Sequence, residues 1–204
     1  MTSVDRQELT LAAIRWCALS VGWAALAGSC SFVAGLGASS NALVAFGASS
    51  LLDGTASAIL IWRFRHERSG ADVDAVELRA ASAVGMVMAA VALYLAFRSV
   101  NALAEQSGPE RSTVGIALTA ASALVLPILA RAKLRLAAPL SSPGLRGDGV
   151  LSLAGAMLAL ATLLSLVADA ALGWWWADSV AACLIATLLF IEGARTTATV
   201  RSLA

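Results

Sequence analysis

The segment Asn41–Trp62, NALVAFGASSLLDGTASAILIW, decides the architecture of the chain. It is a long apolar run with no alternation of period two, bounded before by Gly37-Ala38-Ser39-Ser40 and after by Arg63-Phe64-Arg65-His66-Glu67-Arg68. About 20 apolar residues cross a bilayer as a helix, and a run this long is not a strand. In lipid every backbone polar group has to be satisfied within the segment, which a helix does. One ionisable residue, Asp53, stands near the middle, with about 16–18 Å of helix on either side. An aspartate at that depth costs on the order of 3 kcal/mol to insert, so it is expected to face the bundle interior.

Five similar segments lie around this one: Leu9–Leu36, Arg79–Leu103, Ser112–Ala130, Asp148–Leu172 and Trp174–Ala194. Breaks rich in glycine, serine and proline separate them, among them Gln106-Ser107-Gly108-Pro109 and Ser141-Ser142-Pro143-Gly144. The fold class expected is all-α: a polytopic membrane protein of six transmembrane helices in one domain, residues 1–204, with no C-terminal cytoplasmic domain. Composition agrees. Of 204 residues 59% are hydrophobic and only 13% charged, and the mean hydropathy is +0.82. A soluble domain carries about a quarter charged residues, so this chain could not dress a water-facing surface. A net charge of +1 gives no basic footprint, which excludes a nucleic-acid partner. The short charged start, with Asp5, Arg6 and Glu8, runs directly into a long apolar stretch and reads as a retained first span rather than a cleaved signal.

Lysine and arginine orient the bundle. With the N-terminus inside, twelve of the 14 basic residues fall on the cytoplasmic side, and only Arg98 and Arg111 fall outside. Both termini are therefore expected in the cytoplasm, and the basic clusters read as topology signals and phospholipid contacts. The run Trp174-Trp175-Trp176 then lies at the outer interface, where indole rings favour the headgroup layer. Small residues recur in the spans, such as Gly22, Ala24, Ala25, Ala27 and Gly28 in the first, and Ala83, Gly85, Ala89 and Ala90 in the third. They let helix backbones approach closely in lipid. Pro127 frees a carbonyl in the fourth span and is expected to kink it, with Ser122 as a compensating partner.

Function in a membrane protein is best sought among its intramembrane charges. Ser49 and Ser57, four residues either side of Asp53, make a polar stripe on its helix face. Asp148, with Ser152 one turn deeper, opens the fifth span and reads as a helix cap or dipole partner. Glu192 is expected to pair with Arg195, and the terminal Asp169 and Asp178 are water-reachable. Cys17, Cys30 and Cys183 read as small buried hydrophobes. His66 reads as part of a charged, solvated loop. No HExxH, Walker A, GxGxxG or GxSxG pattern occurs, so the chain reads as a non-enzyme without a resident cofactor.

Taken together, several segments resemble the cation diffusion facilitator superfamily, in particular its small bacterial members with only the transmembrane domain. They are Ser40–Gly47 with Ser50-Leu51-Leu52-Asp53, Leu60-Ile61-Trp62-Arg63, Arg79–Gly85, Leu129–Lys133, Leu145-Arg146-Gly147-Asp148 and Gly173–Asp178. They run through nearly the whole chain in the order and spacing of that family. The resemblance implies a six-helix protomer, a homodimer in a bacterial cytoplasmic membrane, and export of a divalent, zinc-like cation in exchange for protons. It also implies a site of two i, i+4 ligand pairs, which fall here on Ser49 and Asp53 and on Leu151 and Gly155. Ala27 takes a first-helix place where many small relatives have a carboxylate. Asp53 and Ser49 are thus the metal-site candidates, with Asp148 and Ser152 as weaker ones. Because Leu151 and Gly155 supply no ligand, a second reading stands beside export: a family member that no longer transports and instead binds, senses or regulates a partner in the membrane.

Overall fold

In a computed structural model the chain forms six α-helices, and the structure describes residues 3–38, 41–68, 73–106 and 113–203. They are α1 (Ser3–Ala38), α2 (Asn41–Arg68), α3 (Val73–Ala104), α4 (Thr113–Ala137), α5 (Pro143–Leu172) and α6 (Ala177–Leu203). The helices outrun the apolar segments at several ends, because charged turns such as Arg63–Arg68 continue the helix rather than leave it. His66 is accordingly in α2, not in a loop, with its Nδ1 3.0 Å from the Trp62 carbonyl.

Among the described residues five helices, α1, α3, α4, α5 and α6, are long and apolar enough to cross a membrane. α2, with 28 residues, carries Asp53 among glycines, serines and a threonine. Its polar face is turned inward. Asp53 lines a cavity between the helices, and Ser57 is wholly buried.

The helices associate chiefly in three pairs, α1 with α2, α3 with α6, and α4 with α5. Lipid tails provide no hydrophobic drive between helices, so small residues at the seams control how closely they pack. At the α1–α2 seam a Cβ on Gly47 would lie 2.7 Å from the Gly28 carbonyl oxygen and the Phe32 nitrogen. At the α3–α6 seam a Cβ on either Gly85 or Gly193 would lie 3.1 Å from the other glycine's oxygen. The main apolar core joins all six helices around Leu60, Phe64, Val84, Met88, Leu145 and Leu189.

The α4–α5 connection is a built corner. Ser141 takes a positive φ of 49°, and the Ser142 amide donates back to the Ala137 carbonyl at 3.0 Å. Ser142 then caps α5, its hydroxyl accepting from the Leu145 amide at 3.1 Å, with Pro143 at the first helical position, where its missing N–H costs nothing. Asp148 therefore lies inside α5 and is not its cap, which corrects the sequence expectation. α4 runs through Pro127 as one helix. At the other end of α5, Gly173 at φ 69° leads into the tryptophan run, where Trp174 and Trp176 stack at 5.7 Å.

Gly47→Ala forces a methyl group onto backbone atoms that cannot move aside, and it is expected to cost about 1–3 kcal/mol. Gly22→Ala meets nothing within 4 Å and is expected to be neutral, or to gain up to about 1 kcal/mol of helix propensity. Thermal unfolding in detergent micelles checks both. Equal melting temperatures for the two variants would contradict the close α1–α2 seam.

Candidate functional site

The site begins with Asp53 on α2. Its Oδ1 atom is buried and has no hydrogen-bond partner among the described residues. A buried polar atom normally has a partner, which makes this carboxylate oxygen the candidate functional group of the cavity. It lines a cavity of about 60 Å³ together with Trp23 and Ala24 of α1, Ser50 of α2, Ser122 and Leu126 of α4, and Leu151 and Gly155 of α5. That volume admits a small ion and one or two waters, since a water's share of liquid is about 30 Å³.

The two α5 positions picked out by family spacing, Leu151 and Gly155, do converge with Asp53 on one cavity. They bring no donor to it. A Cβ at Gly155 would lie 3.1 Å from Leu126 Cδ1, so a side chain there would need only a small shift of Leu126. Ser50 and Ser122 supply the cavity's hydroxyls, and Ser50 was not singled out from the sequence. The side chain of Ser49 lies outside the described ones. No group of three or more His, Cys, Asp or Glu residues that could hold a metal occurs among the described residues.

One helical turn from Asp53, about 6 Å along the axis, a second cluster fills the bundle. Lys133 of α4 and Asp148 and Ser152 of α5 join Ser57 of α2, and all four are 0% exposed. The Lys133 ammonium lies 2.8 Å from Asp148 Oδ2 and donates to Ser57 Oγ at 2.9 Å and Ser152 Oγ at 3.0 Å. An ammonium has three N–H donors, and here each has an acceptor. The Ser57 hydroxyl, while accepting from Lys133, points its own proton at the Asp148 carboxylate, 2.9 Å from Oδ2 and 3.0 Å from Oδ1. The Cys17 thiol of α1 approaches the same carboxylate at 4.0 Å. Asp148 and Ser152 are thus already engaged by an internal cation, and Ser57 serves that cluster. Asp53, Lys133 and Asp148 are close enough to act on one another electrostatically.

Lys133 corrects the sequence reading, which took it for a solvated topology charge. So does Arg63, 1% exposed. Arg63 pairs with Glu67 on its own helix and with Glu77 of α3. Glu77 in turn accepts from the Ser142 hydroxyl at 2.9 Å and the Gly144 amide at 3.0 Å, placing a carboxylate at the positive end of the α5 dipole. Arg6 of α1 donates to Glu67 at 2.7 Å. Glu192 pairs with Arg195 at 3.7 Å, as the spacing predicts, and also with Arg146 of α5. Of the cysteines only Cys17 is buried, while Cys183 is half-buried and Cys30 exposed. The expectation of three buried thiols holds for one.

A buried ion pair loses about 3–5 kcal/mol when one partner is removed, whereas replacing both by apolar residues is often neutral. Lys133→Ala and Asp148→Ala are each expected to destabilise by that amount. Lys133→Met combined with Asp148→Leu is expected to be milder than either. Unfolding in mixed micelles checks this, and losses that simply add would contradict a single coupled unit.

The fold and the site can now be set against known proteins. The family model described as the cation efflux transmembrane domain matches residues 18–202. No curated protein matches the chain. The matched region runs from the middle of α1 to the last turn of α6 and takes in Asp53, Lys133 and Asp148, and the chain belongs to the cation efflux, or cation diffusion facilitator, superfamily of membrane transporters.

Proposed function

We propose that the protein exports a cation from the cytoplasm in exchange for protons, with Asp53 as the group that holds each in turn. The observation that carries this reading is the buried Oδ1 of Asp53, without a partner among the described residues, on a cavity between the helices. A lone carboxylate that binds either a cation or a proton makes the two compete for one place. If the helices expose that place to each side alternately, competition couples the fluxes. The reading places six spans in a bacterial cytoplasmic membrane with both termini inside, and a homodimer as the working unit. Arg65, Arg131 and Arg135, all exposed at one end of the bundle, support that orientation.

A divalent, zinc-like cargo is what the resemblance implies. Zinc favours cysteine, histidine and carboxylate ligands in a tetrahedral set, and the cavity wall offers one carboxylate and the hydroxyls of Ser50 and Ser122. Ions that keep part of their water shell and accept oxygen donors suit this wall better. The absence of donors at Leu151 and Gly155 favours the second reading, a member that binds or senses without transporting.

The test is uptake into proteoliposomes under an imposed pH gradient, with zinc, manganese, cobalt and iron(II) in turn and sodium and potassium alongside. Saturable flux driven by acid on the trans side and removed by Asp53→Asn is the expected result. No flux for any ion, from protein that is folded and monodisperse, would overturn export and leave the second reading.

A further inference from the structure

A groove of about 560 Å³ opens where the α4–α5 corner meets α6. Its walls include Leu134, Ala137 and Ala138 of α4, Ser141 of the corner, Arg146 of α5 and Arg195 of α6. Pockets of about 300–1,000 Å³ hold small molecules. We propose that this groove seats one anionic phospholipid, with its phosphate held between Arg146 and Arg195. The groove shares no lining residue with the Asp53 cavity. Glu192 of α6 builds it. That carboxylate is 8% exposed and pairs with both Arg146 and Arg195, so two exposed guanidiniums are drawn to one place. Glu77, which reaches the groove's edge through Ser142, is matched by Arg63. Among the described side chains at the groove two cations therefore stand against one anion, and the side chain of Arg201 lies outside the described ones.

A guanidinium has five N–H donors and fits a phosphate as a planar fork, so a phosphate can share the two arginines with Glu192. A phosphatidylglycerol or cardiolipin headgroup supplies the missing negative charge. A choline headgroup brings its own cation beside the arginines and is disfavoured. The surrounding apolar surface marks the ligand as a lipid rather than a free phosphate. From Arg146 the exposed face of α5 continues at Leu153, Met157, Leu160 and Leu164, and from Arg195 that of α6 runs back through Ile191, Leu188 and Leu184. All seven apolar residues are 40–64% exposed, and steps of three and four keep each set on one helix face. α5 and α6 are consecutive, packed helices, so both stripes leave the arginine pair in the same direction. That outline matches a phospholipid, with charge at the membrane surface and acyl chains along the stripes. Basic pockets between helices on the cytoplasmic side lodge anionic headgroups. The leaflet follows from the orientation proposed above; the site itself does not depend on it.

Native mass spectrometry of the protein in neutral detergent, with phosphatidylglycerol or phosphatidylcholine titrated in, counts the bound lipid. One phosphatidylglycerol is expected to bind saturably, on the order of tenfold or more tighter than phosphatidylcholine. Arg146→Gln combined with Arg195→Gln and Glu192→Gln removes the three charges together, leaves no unpaired ion, and is expected to abolish that preference. Ala138→Trp fills the groove without altering charge and is expected to exclude the lipid, which keeps the proposal testable if the triple variant does not fold. Arg131→Gln with Arg135→Gln, exposed on α4 outside the groove lining, is expected to leave binding unchanged. Equal binding of both lipids by the native protein, or phosphatidylglycerol binding that survives either groove variant, would overturn the proposal. So would an equal loss in the Arg131/Arg135 variant, which would reduce the groove to part of a diffuse basic surface. Displacement of the lipid by equimolar glycerol 3-phosphate would make the ligand a soluble phosphate. A changed oligomeric state in the groove variants with no loss of lipid would make the groove a contact with a second copy. Either result refutes the lipid site. Binding is read without transport, so the outcome is independent of whether the protein exports a cation.

Discussion

An ammonium group fully enclosed between three helices is the constraint on which the rest of this structure depends. Lys133 comes from α4, Asp148 and Ser152 from α5, and Ser57 from α2. An unpaired charge in such surroundings is too costly to keep, so the three helices have to meet in one register for the bundle to close. The pair adds little to net stability compared with an apolar core of the same shape. Its effect is on uniqueness: a one-residue rotation of α4 would carry Lys133 away from its acceptors and strand Asp148. In a bilayer, where apolar faces pack equally well against lipid, such polar conditions are what distinguish one helix arrangement from another.

The same logic orders the basic end of the molecule. Glu77 receives Arg63, the Ser142 hydroxyl and the Gly144 amide at once, so one carboxylate joins α2, α3 and the start of α5. Arg6 extends the network to α1 through Glu67. Polar fastening is thus concentrated in the half of the bundle between Asp53 and the basic end, while the glycine seams Gly28–Gly47 and Gly85–Gly193 bring the paired helices together.

Much of the fold was legible because lipid solvation leaves so few options. Long apolar runs broken by glycine, serine and proline place six helices, short of their ends by up to nine residues at α6, and a lone mid-segment aspartate points to the candidate site. The partners of that aspartate were not legible in the same way. Lys133 sits in Arg131-Ala132-Lys133-Leu134-Arg135, a string that looks like any helix end at a membrane surface. The discriminating signal is angular. Two residues along a helix turn the side chain by about 200°, so with Arg131 and Arg135 exposed, Lys133 has to point into the bundle, as it does. The alternation of Arg63 inside and Arg65 outside repeats the pattern on α2. Asp148 was misplaced for a different reason. The apolar run begins at Asp148, whereas the helix begins at Pro143 because Ser142 and Glu77 cap it, and a carboxylate 65 residues or more away in sequence leaves no local trace.

The central claim is that a single carboxyl, Asp53, exchanges a proton for a cation while the Lys133–Asp148 pair stays fixed beside it. Infrared difference spectroscopy of the protein in lipid, recorded as cation is added and withdrawn, tests this directly. The account predicts conversion of one carboxyl to carboxylate, absent in Asp53→Asn, with the ammonium bands of Lys133 unchanged. A spectrum that survives Asp53→Asn, or that shows Asp148 and Lys133 changing in place of Asp53, would contradict it.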